Sequence, residues 1–329
     1  MSPEPFGSFG WICRHTTLPQ CNLLFTQKWN NGSDVTALFP STSDFFARYN
    51  VTSTSLFDDT NVQLARLQAG NGFGAMCEIP HVGQRGSVGD VVLVVMSFLS
   101  ILLCAGLVYY SRHRKAAVGR LEMAIFLGGF ALFSALQAVT MSSMLEQGGQ
   151  ALTILSAIEC GMIAGLGWLL LGNALVATQL VEDATISSLL PTIGLAVITF
   201  AGTLYISLAT GFGYESVFDV HDATTLKSTP LFVLTLIWPA AAVVFYIIAM
   251  VWVIFDLDEL NPAICLGAAT AIFAAGQVVF FLANEPLCKA ASGKVNATFI
   301  TAITNNAAIV IIFFMWNLIT EGEWFDDFY

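Results

Sequence analysis

The sequence predicts an all-α polytopic membrane protein: a bundle of seven transmembrane helices, N-terminus luminal and C-terminus cytosolic, with a small disulfide-linked luminal domain at its start. Three observations carry this. Hydrophobic residues are 56% of the 329 and charged residues only 11%, where a soluble chain carries about 25% charge. The apolar residues gather into blocks of about 20, the length a helix needs to cross roughly 30 Å of hydrocarbon. The first 86 residues hold no such block.

That first segment, 1–86, is built of Gly, Pro, Ser, Thr and Asn with scattered charges. Its opening, MSPEPFGSFGW, lacks both a basic n-region and an apolar h-region, so no signal peptide is expected. The first span is VVLVVMSFLSILLCAGLVYY, residues 91–110, and six more follow at about 121–142, 151–178, 186–210, 231–255, 263–284 and 299–319. Short connections predict a compact bundle over 87–320, because unpaired backbone cannot sit in lipid. An acidic tail, 321–329, closes the chain. Pro191 and Pro239 are expected to kink the fourth and fifth spans. No internal repeat is visible, which argues against a transporter of inverted halves.

Orientation follows from charge. The loop SRHRKAAVGR (111–120) concentrates Arg112, Arg114, Lys115 and Arg120 between the first two spans, a cytosolic signature. Arg85, Lys227, Lys289 and Lys294 lie on the other side, spread over three segments, and the first span dominates. The sequons Asn31-Gly-Ser and Asn50-Val-Thr agree, since glycosylation requires the lumen. A third sequon, at Asn296, lies too close to the last span for the transferase to reach.

This orientation sorts the seven cysteines. Cys104, Cys160 and Cys265 lie within spans, where thiols behave as small hydrophobes. Cys13, Cys21, Cys77 and Cys288 all fall on the luminal side. Four cysteines in an oxidising compartment suggest two disulfides, with three possible connectivities. Pairing Cys13 with Cys21 and Cys77 with Cys288 is favoured, because the second bond would pin the N-terminal domain to the loop before the last span. His15 fits no zinc spacing with these cysteines. No metal or cofactor is expected.

Three sharper readings of seven spans fail on named residues. A retinal-type protein needs a lysine within a span, and every lysine lies outside them. A membrane metallohydrolase needs clustered His and Asp at depth, but His15, His81, His113 and His221 all lie in loops or the N-terminal segment. A G-protein-coupled receptor usually shows D-R-Y-like and N-P-x-x-Y motifs, whereas here the third span ends LVATQLVEDAT and the seventh reads ITNNAAIVIIFFMW. Polar residues at depth are Gln137, Glu159, Asn173, Gln277, Asn305 and Asn306. Glu159 is a functional candidate as an intramembrane acid; the plainer reading, which we favour, has it facing water or a polar helix near the luminal end. The amides fit interhelical hydrogen bonding better than a transport path.

Gly161 and Gly165 form a G-x-x-x-G on the third span, and Gly267, Ala271 and Ala275 line one face of the sixth. Such faces let helix backbones approach closely, most often within a bundle and otherwise against a partner's helix. Beyond its first loop the cytosolic face carries Glu182, Asp183, Asp256, Asp258, Glu259, Glu321, Glu323, Asp326 and Asp327, and no base. Simple solvation accounts for them as well as a basic partner does; Asp256-Leu-Asp258 and Glu321-Gly-Glu323 also have the form of di-acidic export signals.

Several motifs together resemble the fungal chitin synthase export chaperones over nearly the whole chain. They are FGWICRHTTLPQC (9–21), AVGRLEMAIF (117–126), VEDAT (181–185), AAGQVVFFLANEPLC (274–288) and FFMWNLITEGEWFDD (313–327). Val181 and Ala184 stand where the family pattern has Trp and Gly, and the stretch between Cys21 and Cys77 is longer than in short members. The resemblance implies a non-catalytic protein of the endoplasmic reticulum membrane. It would associate with a chitin synthase and promote its folding and entry into vesicles, and could travel on with it to the plasma membrane. Matched positions become structural or partner-facing candidates: the four luminal cysteines, Arg120 and Glu122, Glu182 and Asp183, Gln277, and Trp316 with the acidic tail. The implied partners are the synthase, the vesicle coat and the lipid bilayer, with no nucleic acid. The synthase reaction needs a cytosolic nucleotide-sugar site, for which such short loops leave no room. A seven-span receptor or transporter is the competing class, and Glu159→Gln would separate it by abolishing transport.

Overall fold

The computed structural model describes residues 5–30, 79–83, 86–113, 118–182, 185–220, 225–292 and 294–326, apart from the side chains of 29–30 and 321–326. Two short helices come first, α1 (Gly10–His15) and α2 (Pro19–Asn30). The spans are α3 (Val91–His113), α4 (Arg120–Thr140), α5 (Gln150–Ala177), α6 (Ile186–Phe212), α7 (Thr229–Leu257), α8 (Leu260–Leu282) and α10 (Ala297–Asp326). A short helix, α9 (Asn284–Ala290), precedes the last. All seven spanning helices are long and apolar enough to cross a membrane; each falls within a few residues of its sequence-predicted span, except that α10 continues past its apolar part, which ends at Thr320, to Asp326.

Local chemistry sets the ends. α4 begins after Gly119 at φ 70°, and α6 stops at Gly213 at φ 64°; both turns need the left-handed backbone that glycine adopts without strain. α7 ends on Asp258, also left-handed at φ 51°, a conformation that Asp tolerates better than most residues. The two prolines act differently. Pro191 lies inside α6, whose helix runs on unbroken. Before Pro239, which has no N–H to offer the carbonyl one turn back, the helix shifts to a π turn over Val233–Ile237.

Seven crossings put the chain's two ends on opposite sides. At one, the capped end, lie α1, α2, α9 and the loops α4–α5 and α6–α7. At the other, the far end, lie the loops α3–α4, α5–α6 and α7–α8. α5 is the central helix, packed by α4, α6 and α7, while α8 packs along α10 and α10 reaches α3. Beneath the far end, Met123, Phe126 and Phe130 of α4 meet Ile309, Phe313 and Trp316 of α10. On the other side of α10, Met315 and Ile319 join Tyr246 and Met250 of α7 and Leu266 of α8.

The start of the chain is built into the bundle. Leu23, Leu24 and Phe25 of α2 are fully buried, clustered with Ala157 and Cys160 of α5 and Leu231 of α7. α2 lies against both α5 and α6.

Candidate functional site

At the capped end the polar residues of α2 find partners as specific as its apolar ones. Asn22 Nδ2 donates to Ser156 Oγ at 3.1 Å, and Gln147 Nε2 donates to Asn22 Oδ1 at 3.2 Å. The hydroxyls of Thr26 and Thr153 meet at 3.1 Å. Gln27 closes on the α6–α7 loop, accepting from Val220 N–H at 3.1 Å and donating to Asp219 Oδ1 at 3.2 Å. Ahead of α1, the N–H groups of Phe9 and Gly10 donate to the carbonyls of Leu226 and Thr225. A disulfide joins Cys13 to Cys21, with their Cα atoms 5.6 Å apart, and so ties α1 to α2.

Asn284 fastens this cap to the last two spans. Its Nδ2 donates to the His15 carbonyl at 2.7 Å, and its Oδ1 accepts from Ala297 N–H at 2.8 Å. Beside it, Glu285 pairs with His15 at 3.4 Å and with Lys289 at 2.6 Å. The Lys289 ammonium, hydrogen-bonded to Glu285, holds that half-buried carboxyl below the usual range. Cys288 is buried and disulfide-bonded, to a partner outside the described residues. Cys77, Asn31 and Asn50 also lie outside them. Asn296 is only 3% exposed.

The far end is held by the residues of two motifs. Trp316 Nε1 donates to the Val118 carbonyl at 2.8 Å, clamping the turn before α4. A Cβ on Gly119 would stand 3.7 Å from that indole nitrogen and 3.4 Å from Val176. Glu122, 2% exposed, accepts from Ser188 Oγ at 2.7 Å, and its backbone carbonyl accepts from Asn173 Nδ2 at 3.4 Å. Arg120 is half-buried at the start of α4. Glu122 and Trp316 thus join α4, α5, α6 and α10 from inside the bundle. Glu182, Asp256 and Asp258 are exposed at this end. Asp183 lies outside the described residues, and Glu321 and Glu323 sit on the final turns of α10.

The small-residue faces divide. A Cβ on Gly161 would lie 2.9 Å from the Phe200 ring, and one on Gly165 would lie 3.3 Å from the Ala196 carbonyl, so α5 meets α6 there. Gly267 has nothing within 4 Å, and Ala271 and Ala275 are exposed. This stripe turns outward because α8 spends its opposite face on α10. Gln277 is half-buried on α8.

Glu159 is fully buried near the capped end, where Thr140 Oγ1 donates to its Oε2; it faces a neighbouring polar helix, not water. At mid-depth the bundle holds a cavity of about 190 Å³ enclosed by α4, α5, α7, α8 and α10. Sequence reasoning did not single out Asn22, Gln147, Asn284 or Ser188. Only Asn284 carried a signal, its place within LANEPLC.

The family model of the chitin synthase export chaperones matches residues 5–328 of this chain. The chain belongs to that family. Chitin synthase export chaperones from Yarrowia lipolytica and Debaryomyces hansenii are each 24% identical to it, over 97% of this chain and 86% and 90% of their own lengths. The one from Candida albicans is 23% identical, over 97% of this chain and 90% of its own. No solved structure matches.

Proposed function

We propose that this export chaperone binds a chitin synthase in the endoplasmic reticulum membrane, supports its folding there and accompanies it into transport vesicles, acting by binding and not by catalysis. The observation that carries the reading is the family match over residues 5–328, which covers both ends of the bundle and every span. The physics is compatible. A multispanning glycosyltransferase carries polar groups in its spans, and each must find a partner in lipid before the enzyme is assembled. A rigid, preassembled bundle supplies such partners and covers faces that would otherwise aggregate.

In this reading the capped end is luminal and the far end cytosolic. The exposed acids Glu182, Asp256 and Asp258, with Asp183, Glu321 and Glu323, would face basic segments of the synthase or the vesicle coat. Asp256-Leu-Asp258 lies at the tight turn between α7 and α8, a position open to a cytosolic adaptor. Cys77 would close the second disulfide with Cys288.

Deleting the gene in its host and imaging each tagged chitin synthase tests the reading. One synthase should remain in the endoplasmic reticulum while unrelated cargo reaches the surface. Normal traffic and activity of every synthase would overturn it.

A further inference from the structure

α7 lies along α5, where Trp238 Nε1 donates to the Ala164 carbonyl at 2.9 Å, and the two helices end side by side at the far end. Between their ends is another cavity, of about 130 Å³. Ala177, Thr178 and Gln179 close α5 on one side of it. Trp252 and Asp256, one turn apart on the same face of α7, stand on the other. The neighbouring acids Glu182 and Asp258 do not line it.

The charges around this cavity are of one sign. Each helix ends with roughly half an elementary negative charge on its open carbonyls, and neither has a basic residue in its last turn. The Val176 carbonyl accepts from Gln179 N–H, but those of Ala177 and Thr178 receive no donor among the described residues. Asp256 adds a full charge and makes no ion pair among the described residues. No Lys or Arg occurs on α5, α6, α7 or α8, so the surrounding helices supply no cation. Trp252 adds the electron-rich face of its indole, which attracts cations too.

Position and size narrow the ligand. The apolar span of α7 ends at Leu257, so the cavity lies at headgroup level, where Trp is at home. Trp252 and Asp256 are exposed, and a group from outside reaches both. Leu180 and Phe255, next in sequence to the walls, are exposed and apolar, so lipid borders the mouth. A single water needs about 10–15 Å³, so about 130 Å³ admits a group of several heavy atoms. Among phospholipid headgroups, choline carries a cation without an N–H, serine adds a carboxylate that these charges repel, and glycerol has no cation. Ethanolamine ends in a primary ammonium, whose three donors match Asp256 and the open carbonyls. A basic side chain of a protein partner would bring similar donors, but its backbone would have to lie over Leu180 and Phe255, where lipid sits.

We propose that the cavity between the ends of α5 and α7 binds the ethanolamine headgroup of a phospholipid. The ammonium pairs with Asp256 against the Trp252 ring, and the phosphate stays outside the rim. This inference stands apart from the export-chaperone reading.

Native mass spectrometry tests it on the full-length chain in detergent, offered equal amounts of phosphatidylethanolamine, phosphatidylcholine and phosphatidylglycerol with identical acyl chains. The native chain should retain about fivefold more of the ethanolamine lipid than of either other. Asp256→Asn and Trp252→Leu should each reduce it to the choline level. Asp258→Asn, the same charge change outside the cavity, should keep the native preference. Thermal unfolding gives a second readout, in which the ethanolamine lipid and not the choline lipid raises the native melting temperature. Equal retention of the two lipids by the native chain would overturn the proposal, as would an unchanged preference in Asp256→Asn. An equal loss in Asp258→Asn would assign the effect to diffuse charge and overturn it too. If Asp256→Asn keeps the lipid but loses co-purified synthase, the cavity serves a basic segment of a partner and the proposal is wrong. If a variant fails to accumulate, the melting of the native chain with each lipid decides.

Discussion

Asp90 stands immediately before α3, where its Oδ1 accepts from Leu93 N–H at 3.0 Å and so satisfies one of the open donors of the first turn. The residue has no solvent exposure, and its Oδ2 has no hydrogen-bond partner among the described residues. Burial outweighs the cap and pushes the carboxyl up to about 6 from 3.8. A carboxyl held above its unfolded value stabilises the folded chain fully below about pH 4 and loses that contribution as pH rises through about 6, a difference on the order of 3 kcal/mol. Asp90→Asn keeps the acceptor and drops the charge. Thermal unfolding in detergent should show it more stable than the native chain at pH 7, with the gap closing towards pH 4; an equal gap at both values would contradict the account. Glycines make a second contrast at this scale. Gly161→Leu must displace the Phe200 ring and should cost about 1–3 kcal/mol, whereas Gly267→Leu meets nothing within 4 Å and should leave the melting temperature unchanged. If both variants melt alike, the assignment of the two faces is wrong.

The helices differ in how far sequence alone reveals them. The spans were legible because length and apolarity are what a bilayer demands, and α3 to α8 and the apolar part of α10 fall within a few residues of their expected limits. α2 was not legible as part of the bundle. Leu23, Leu24 and Phe25 are too few to mark a buried element, and Asn22, Thr26 and Gln27 read as surface residues until their partners on α5 and the loops are known. The π turn of α7 was equally hidden: Pro239 announces a disturbance, but not that the helix answers it by widening and swinging Trp238 onto α5. The motif residues Glu122 and Trp316 were legible as important and not as buried, since their partners Ser188 and Val118 belong to other segments. For α1 and α2 the disulfide gives a direct test. Closing the eight-residue separation between Cys13 and Cys21 removes about 2–3 kcal/mol of unfolded-chain freedom. The double variant Cys13→Ala, Cys21→Ala should therefore melt a few degrees lower in detergent and be cleaved by protease within α1–α2 sooner than the native chain. Unchanged melting and cleavage would mean the hydrogen bonds of α2 alone hold the cap.

At the scale of the whole molecule, the bundle has one end closed by its own N-terminal segment and one end bearing exposed acids. The proposed orientation rests on charge: Arg112, Arg114, Lys115 and Arg120 gather in the sequence between α3 and α4, and such clusters favour the cytosol. That proposal puts the capped end in the lumen, and the sequons make it measurable. Asn31 and Asn50 precede α3 and would meet the glycosylation machinery. Asn296 belongs to the same end, but it is 3% exposed, one residue before α10, and its Oδ1 accepts from Phe299 N–H at 3.4 Å. A buried amide already engaged at the membrane edge is a poor acceptor for a glycan. Endoglycosidase treatment of the native chain should therefore produce a mobility shift. Asn31→Gln with Asn50→Gln should abolish that shift, and Asn296→Gln should leave it intact. A shift that survives the double variant and disappears with Asn296→Gln would refute the closed packing at α10. A native chain with no shift, together with protease protection of the far-end loops in sealed vesicles, would reverse the orientation and move the acids away from any cytosolic partner.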